Sequence, residues 1–451
     1  MSRLWDRGQS VDERIVAFTV GRDPELDRRL VACDALASAA HATMLESIGV
    51  LGEDELSGLL RELAAAARDA REGRFEITVE DEDGHTALEN RLTRRLGDAG
   101  RRIHTGRSRN DQVIAAVRVW TREILVDQLE ALLTLVGRLL DLAEEHRETS
   151  LPGYTHTRQA MPSTLGFLFA AYAENLLDDV PWLETAFRHA DRSPLGSASG
   201  YGVALPLDRP LVQRLLGFAA LQHNTLAVQN DRGKTEYLVL GAALAPAVDL
   251  GRLASDLIFF STEELGCIKL DERVTTGSSI MPQKRNPDVL ELTRANSAVL
   301  HSCLERVLLV AAKLPSSYHR DYQLTKAPLL QGLRLVRSMS RVMELTVSGL
   351  SVDAERARAG VLPEAYATHR ALELVRQGVA FREAYRAVGQ GGGADTALET
   401  DPRALYAVEG SAGRLELERA RERVAALRGR SEEARGALMA RLTALESGGT
   451  A

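Results

Sequence analysis

The chain has 451 residues, a formal net charge of −7 at neutral pH, a hydrophobic fraction of 45% and an aromatic fraction of only 5%. An acidic balance excludes general attraction to nucleic acid or an anionic membrane and leaves a small molecule as the expected partner. A core so poor in aromatics must be built from Leu, Ala and Val, as helical bundles are.

The length allows two or three domains. The first residues, Met1-Ser-Arg-Leu-Trp-Asp-Arg, lack the charged, apolar and small-residue succession of a signal peptide. The longest apolar stretch, residues 237–248, is expected to fall short of a membrane span. Cys33, Cys267 and Cys303 are odd in number and form no Cys-x-x-Cys pair, so neither a disulfide framework nor a metal site is expected. A reducing cytoplasm is the expected location.

In chain order, Asp23-Pro24 reads as the start of a helix carrying Leu26, Leu30, Leu36, Leu45 and Ile48 at helical spacing, ended by Gly49. A longer periodic run covers 110–146, with Val113, Val117, Trp120, Ile124, Leu132, Val136 and Leu139 on its apolar face. Further long helical patterns cover about 161–190, 235–264, 287–313 and 327–349, which implies a bundle of long antiparallel helices. Gly360 and Pro363 mark a change of texture, followed by short helices and a charged amphipathic tail over 415–445. The chain therefore divides into an N-terminal helical domain, 1–108, a central long-helix bundle, 109–358, and a small C-terminal helical domain, 359–451. The fold class is all-α. Gly389, Gly391 and Ala394 match a loose Gly-x-Gly-x-x-Ala, but they follow a helical segment rather than a strand, so the context for dinucleotide binding is missing. Neither a phosphate-binding Gly-x-x-x-x-Gly-Lys-Ser/Thr nor a hydrolase Gly-x-Ser-x-Gly occurs.

Four polar segments stand at the ends of these helices. Gly277-Ser-Ser-Ile-Met-Pro-Gln-Lys-Arg-Asn-Pro287 joins a mobile entry to three donors, Lys284, Arg285 and Asn286, just before a helix, which suits a carboxylate guest and a closing loop. Ile103 to Val113 contains Ser108, Asn110 and Asp111, which also suit helix capping, together with the forks of Arg107 and Arg109, which capping does not need. Pro152 to Pro162 holds His156 between Gly153 and Pro162, placed to titrate near neutral pH in a cleft; Thr155 beside it also reads as a turn residue. Glu291, four residues past Pro287, is positioned to orient that imidazole. His85, after Glu80-Asp-Glu-Asp-Gly, reads either as a loop candidate or as part of a solvated acidic turn. Leu314 to Lys326 is dense in donors for a helix connection. Only five of the 56 basic residues are lysines; Lys284 and Lys326 both fall in these segments, where a compact ammonium differs from an arginine fork.

Gly-Ser-Ser-Ile-Met-Pro-Gln-Lys-Arg-Asn-Pro-Asp at 277–288, His-Thr-Gly-Arg-Ser-Arg-Asn-Asp-Gln-Val at 104–113, Gly-Tyr-Thr-His at 153–156 and Ser-Pro-Leu-Gly-Ser at 193–197 resemble the aspartase/fumarase superfamily, and within it most closely the argininosuccinate lyases. The resemblance runs from about Phe18 to the end of the central domain. It implies β-elimination of fumarate from argininosuccinate to give arginine. It further implies a homotetramer with a twenty-helix core, whose active sites each collect segments from three subunits, and no metal or organic cofactor. By position, Ser278 would be the base, helped by loop amides and Lys284, and His156 with Glu291 the acid; the opposite assignment stays open. Lys284 and Asn286 would hold the succinyl carboxylates. Asn110, Thr155, Tyr318, Gln323 and Lys326 would bind substrate, with Ser108, Arg109 and His85 as neighbours.

The chain departs from the family pattern at three places. Gly21 replaces a serine that contacts the amino-acid end of the substrate, Thr157-Arg-Gln replaces Leu-Gln-Arg after His156, and Asn230-Asp-Arg-Gly233 replaces Ser-Asp-Arg-Asp. These surround substrate recognition and spare the eliminating groups, so two further readings remain: a fumarate-releasing lyase for another N-substituted aspartate, or a catalytically silent structural homologue.

Overall fold

A computed structural model describes residues 12–78, 80–391 and 400–448. Its longer helices in chain order are α1 Val31–Ser47, α2 Glu53–Arg71, α3 Gly84–Leu96, α4 Arg109–Glu145, α5 Leu165–Ala190, α6 Lys234–Phe260, α7 Asp288–Ala311, α8 Gln323–Ser348 and α9 Leu417–Glu446. Helices α4 to α8 form the bundle: α4 packs on α5, α5 on α6, α6 on α7, α7 on α8, and α8 back on α4, with α6 also touching α8. The N-terminal helices α1 and α2 pack on each other, α1 also on α4, and α9 returns from the C-terminal region to lie along α4.

Helix α4 shows how local sequence sets this frame. Ser108 caps its first turn, its Oγ accepting from the Asn110 amide at 3.3 Å, while Asp111 accepts from the Ser108 amide at 2.9 Å. These satisfy donors that a helix start otherwise leaves open. Of its 37 residues, 24 are buried, and at about 1.5 Å per residue it is roughly 54 Å long. Helix α5 is entered from a two-stranded hairpin, β1 Ser150–Thr155 and β2 Arg158–Thr164, and Thr164 caps it by accepting from the Phe167 amide at 3.1 Å. The helical pattern expected from residue 161 therefore begins at Leu165. Helix α6 begins where α7 ends: a Cβ on Gly233, at φ +78°, would lie 2.4 Å from Ala311 Cβ, so that approach needs glycine.

Two expectations are corrected. The segment from Asp23 to Gly49 is not one helix. A short turn, Asp23–Asp27, is separated from α1 by residues 28–30, with Asp23 inside the first turn and Arg22 at its cap; the break lets the buried Asp27 carboxylate meet the Gly84 amide at 3.1 Å and Lys326 at 2.5 Å. The apolar stretch 237–248 lies in α6, which on length and composition is long and apolar enough to cross a membrane. Its apolar window is 56% buried against α5, α7 and α8, the environment of a bundle-core helix. In the Gly-rich segment after α8 a helix ends at Gly389, and Gly392, Gly393 and Ala394 lie outside the described residues.

Candidate active site

The starts of α4 and α8 and the turn leading into α6 meet at one end of the bundle. There a narrow cleft is lined by Arg109, Asn110, Arg232, Tyr318, Gln323 and Lys326, with Asp23 and Asp83 at its acidic wall. Backbone amides at the start of α4 and α8 favour an anionic guest. Lys326 is 6% exposed and lies 2.5 Å from Asp27 and 3.2 Å from Asp23. Burial alone would lower its pKa; the two carboxylates outweigh burial and raise it. Gln323 Nε2 donates to the carbonyls of Thr19 and Val20 at 3.0 and 3.1 Å, and Arg320 also donates to Thr19 at 2.8 Å. The segment that carries Gly21 is thus tied to the rim of the cleft.

Arg109 reaches Asp83 at 3.2 Å and Thr86 Oγ1 at 2.5 Å. Ser108 spends its hydroxyl on the cap, while Asn110 faces the cleft. Arg107 does not join them: it is buried and donates to Ser38 Oγ at 2.8 Å. His85 is no member of a solvated turn. It is 6% exposed, at the start of α3, with Nδ1 2.8 Å from Asp34, whose carboxylate also accepts from Gln112 at 2.8 and 3.1 Å. Burial opposes its protonation, but Asp34 and the neighbouring acids prevail and its pKa rises. The acidic turn is drawn inward because Asp83 caps α3, accepting from the Thr86 amide at 2.9 Å, and pairs with Arg109.

Arg232 is a site residue that sequence reasoning missed. It is 8% exposed, its guanidinium lies 5.3 and 5.2 Å from the Tyr318 and Tyr322 ring centres, and burial lowers its pKa. Among the described residues its side chain makes no hydrogen bond or ion pair, so its guanidinium donors are available in the cleft. The available signal was its place in the Asn230-Asp-Arg-Gly233 motif at a helix start. Its neighbour Asp231 is structural, accepting from Arg192, Thr235 and Arg118 at 2.8, 2.9 and 3.0 Å.

The remaining predicted residues stand at the opposite end. The segment 277–287 is a loop closed at its base by β3 Thr276–Gly277 pairing with β4 Arg285–Asn286. Inside it, Ser278 Oγ accepts from the Ile280 and Met281 amides at 3.3 and 3.1 Å. Such donors stabilise negative charge on that oxygen. Lys284 and Glu291 are exposed, Ser278 and Asn286 half-buried. Thr155 and His156 sit at the tip of the β1–β2 hairpin, where His156 and Thr157 adopt φ +52° and +58°. Two left-handed residues in a two-residue loop form a primed turn, at a conformational cost for non-glycine residues, and project the imidazole outward. The hairpin is anchored by Tyr154, whose ring lies 5.0 Å from Phe259 at the end of α6.

The expected His156–Glu291 pair does not form within one chain: among the described residues neither side chain has a hydrogen bond or ion pair. Nor does either meet the cleft, since the roughly 54 Å length of α4 separates the two ends. No group of three or more His, Cys, Asp or Glu suited to a metal ion occurs among the described residues.

Residues 9–300 match the sequence model of a family described as Lyase. The chain is 47% identical to the argininosuccinate lyase of Sorangium cellulosum, over 86% of this chain and 90% of that protein. It is 42% identical to the Stenotrophomonas maltophilia enzyme of the same name, over 94% and 99%. Among solved structures it is similar to a variant of EDDS lyase with bound fumarate, TM-score 0.77 at 23% identity over 98% and 96%. It is also similar to the class II fumarase of Schistosoma mansoni, TM-score 0.69 at 16% identity over 83% and 87%; these two likenesses speak for the fold. The long bundle, the serine loop and 42–47% identity to argininosuccinate lyases over most of the chain agree: the chain belongs to the argininosuccinate lyase family of the aspartase/fumarase superfamily.

Proposed function

We propose that the protein cleaves argininosuccinate to arginine and fumarate, as the last step of arginine biosynthesis, in active sites shared between copies of the chain in a homotetramer. The observation that carries the shared site is the separation of its halves: the cleft lined by Asn110, Gln323 and Lys326 and the Ser278 and His156 segments occupy opposite ends of helices about 54 Å long. Helix α7 supports association. Only five of its 24 residues are buried, while Leu292 and Leu309 are 62% and 79% exposed, an apolar face suited to burial against other copies. The division into domains 1–108, 109–358 and 359–451 and a cytoplasmic location belong to the same reading, and three unpaired buried cysteines suit a reducing compartment.

In the elimination, Ser278 Oγ takes the proton from the carbon beside a succinyl carboxylate. The Ile280 and Met281 amides offset the charge this hydroxyl needs to act as a base. Lys284 and Asn286 hold the carboxylates as negative charge builds up. His156, paired with Glu291 of a neighbouring copy, protonates the departing guanidino nitrogen as the C–N bond breaks. Asn110, Thr155, Tyr318, Gln323 and Lys326 bind and orient the substrate, with Arg232 a further carboxylate partner and Ser108, Arg109 and His85 supporting the cleft. A second reading, elimination of fumarate from a different N-substituted aspartate, is favoured by Gly21 at the rim.

The test is fumarate release by purified protein, with Ser278→Ala and His156→Asn alone and after mixed refolding. Turnover of argininosuccinate, lost in each variant and partly regained in the mixture, is expected. Release from another substituted aspartate alone would move the assignment to the second reading, and no regain in folded hybrids would sink the shared site.

A further inference from the structure

Away from both ends of the bundle, α1, α2, α4, α8 and α9 leave an open basin of about 530 Å³. Six arginines line it, Arg28, Arg29, Arg71, Arg334, Arg337 and Arg435, against two carboxylates, Glu123 and Asp127. Both carboxylates are already engaged, Glu123 by Arg71 at 2.9 Å and Asp127 by Arg337 at 3.1 Å. Arg71 also meets Glu446 at 2.5 Å, and Arg435 meets Glu130. Arg28, Arg29 and Arg334 have no hydrogen bond or ion pair from their side chains among the described residues. Burial and the like charges of Arg29 and Arg337 lower the pKa of Arg334, and Arg337 Nε is buried without a hydrogen-bond partner there.

A chain with 63 acidic residues against 56 basic ones has carboxylates to spare, yet three of these guanidiniums, Arg28, Arg29 and Arg334, stand on the wall of the basin with no carboxylate partner among the described residues. Holding like charges together costs free energy unless an anion joins them, and planar guanidinium forks match phosphate and carboxylate groups in a bidentate manner. Trp120, Leu438 and Met439 add an apolar wall for the body of a small molecule.

We propose that this basin binds a small multivalent anion bearing at least two phosphate or carboxylate groups. It is separate from the cleft: Arg334 lies two turns along α8 from Lys326, about 12 Å. The test is titration calorimetry of the full chain with pyrophosphate and with citrate at constant ionic strength. Saturable binding near one anion per chain is expected, and the tighter of the two identifies a phosphate or a carboxylate ligand. The Arg29→Gln/Arg334→Gln variant should bind about tenfold more weakly or worse, with fumarate release in the absence of anion unchanged. If that variant fails to fold, Arg334→Gln alone, on an exposed helix face, carries the comparison. No saturable binding of either anion, or equal affinity in the folded variants, overturns the proposal.

Discussion

The two ends of the bundle differ in how complete they are. At the cleft end nearly every charge has a partner: Lys326 sits between Asp23 and Asp27, Arg109 against Asp83, His85 against Asp34. At the other end Ser278, Lys284, Glu291 and His156 are exposed or half-exposed. Ser278 is held only by its loop's own amides, and His156 only by a strained hairpin turn. The difference teaches that packing within one chain pre-organises the cleft, while the groups to which the proposed function gives the proton transfers are left presented, as a site completed by a neighbouring copy would require.

The largest effect that would sharpen this contrast is on rate. Ser278→Ala and His156→Asn should each lower turnover by about 10²–10⁴, while melting temperature barely moves because neither side chain is buried in the chain. A large loss of melting temperature in either would show that this end is structural. Lys326→Met should act on the fold as well as on substrate binding, destabilising it by about 3–5 kcal/mol by leaving Asp23 and Asp27 unneutralised, and urea unfolding reads this directly.

Asp231→Asn sharpens the same end through pH. Burial pushes the Asp231 carboxyl up, but His189, Arg118, Thr235 and Arg192 hold it well below its ordinary value. A depressed folded pKa contributes stability that is complete above the unfolded value of about 4 and is lost as pH falls toward the folded value. The variant should therefore be weaker by about 3 kcal/mol at neutral pH, with the gap to the parent narrowing in acid; a gap that is constant with pH would assign the loss to packing. The smallest effect is Gly21→Ser. Gly21 adopts φ +55° and ψ −124°, a conformation that strains any side chain, so restoring the family's serine should cost about 1 kcal/mol of stability. A clear gain in substrate affinity with no such cost would show that the rim rearranges to accept it.

Much of the site was legible because its signals are local. The capping pair Ser108 and Asp111, the length of α4, and the loop at 277–287 follow from residues within a few positions of each other. The break after Asp27 was not legible, because it answers to Lys326, distant along the chain, and to the Gly84 amide. The same holds for His85, whose acidic flank reads as solvated until Arg109 and the cap of α3 draw it inward. Arg232 was missed because its role depends on two tyrosine rings from another segment.

Sequence alone determined the helical class, the bounds of the bundle's long helices to within about four residues, and the resemblance that points to β-elimination, since periodicity, caps and motifs are short-range. Only the tertiary structure decided which predicted residues meet. Rigid helices carry residues that the proposed function brings to one substrate to ends about 54 Å apart, and a side-chain contact reaches only a few ångströms. That separation is why Asn110, Gln323 and Lys326 share a cleft within one chain while Ser278 and His156 stand far from it.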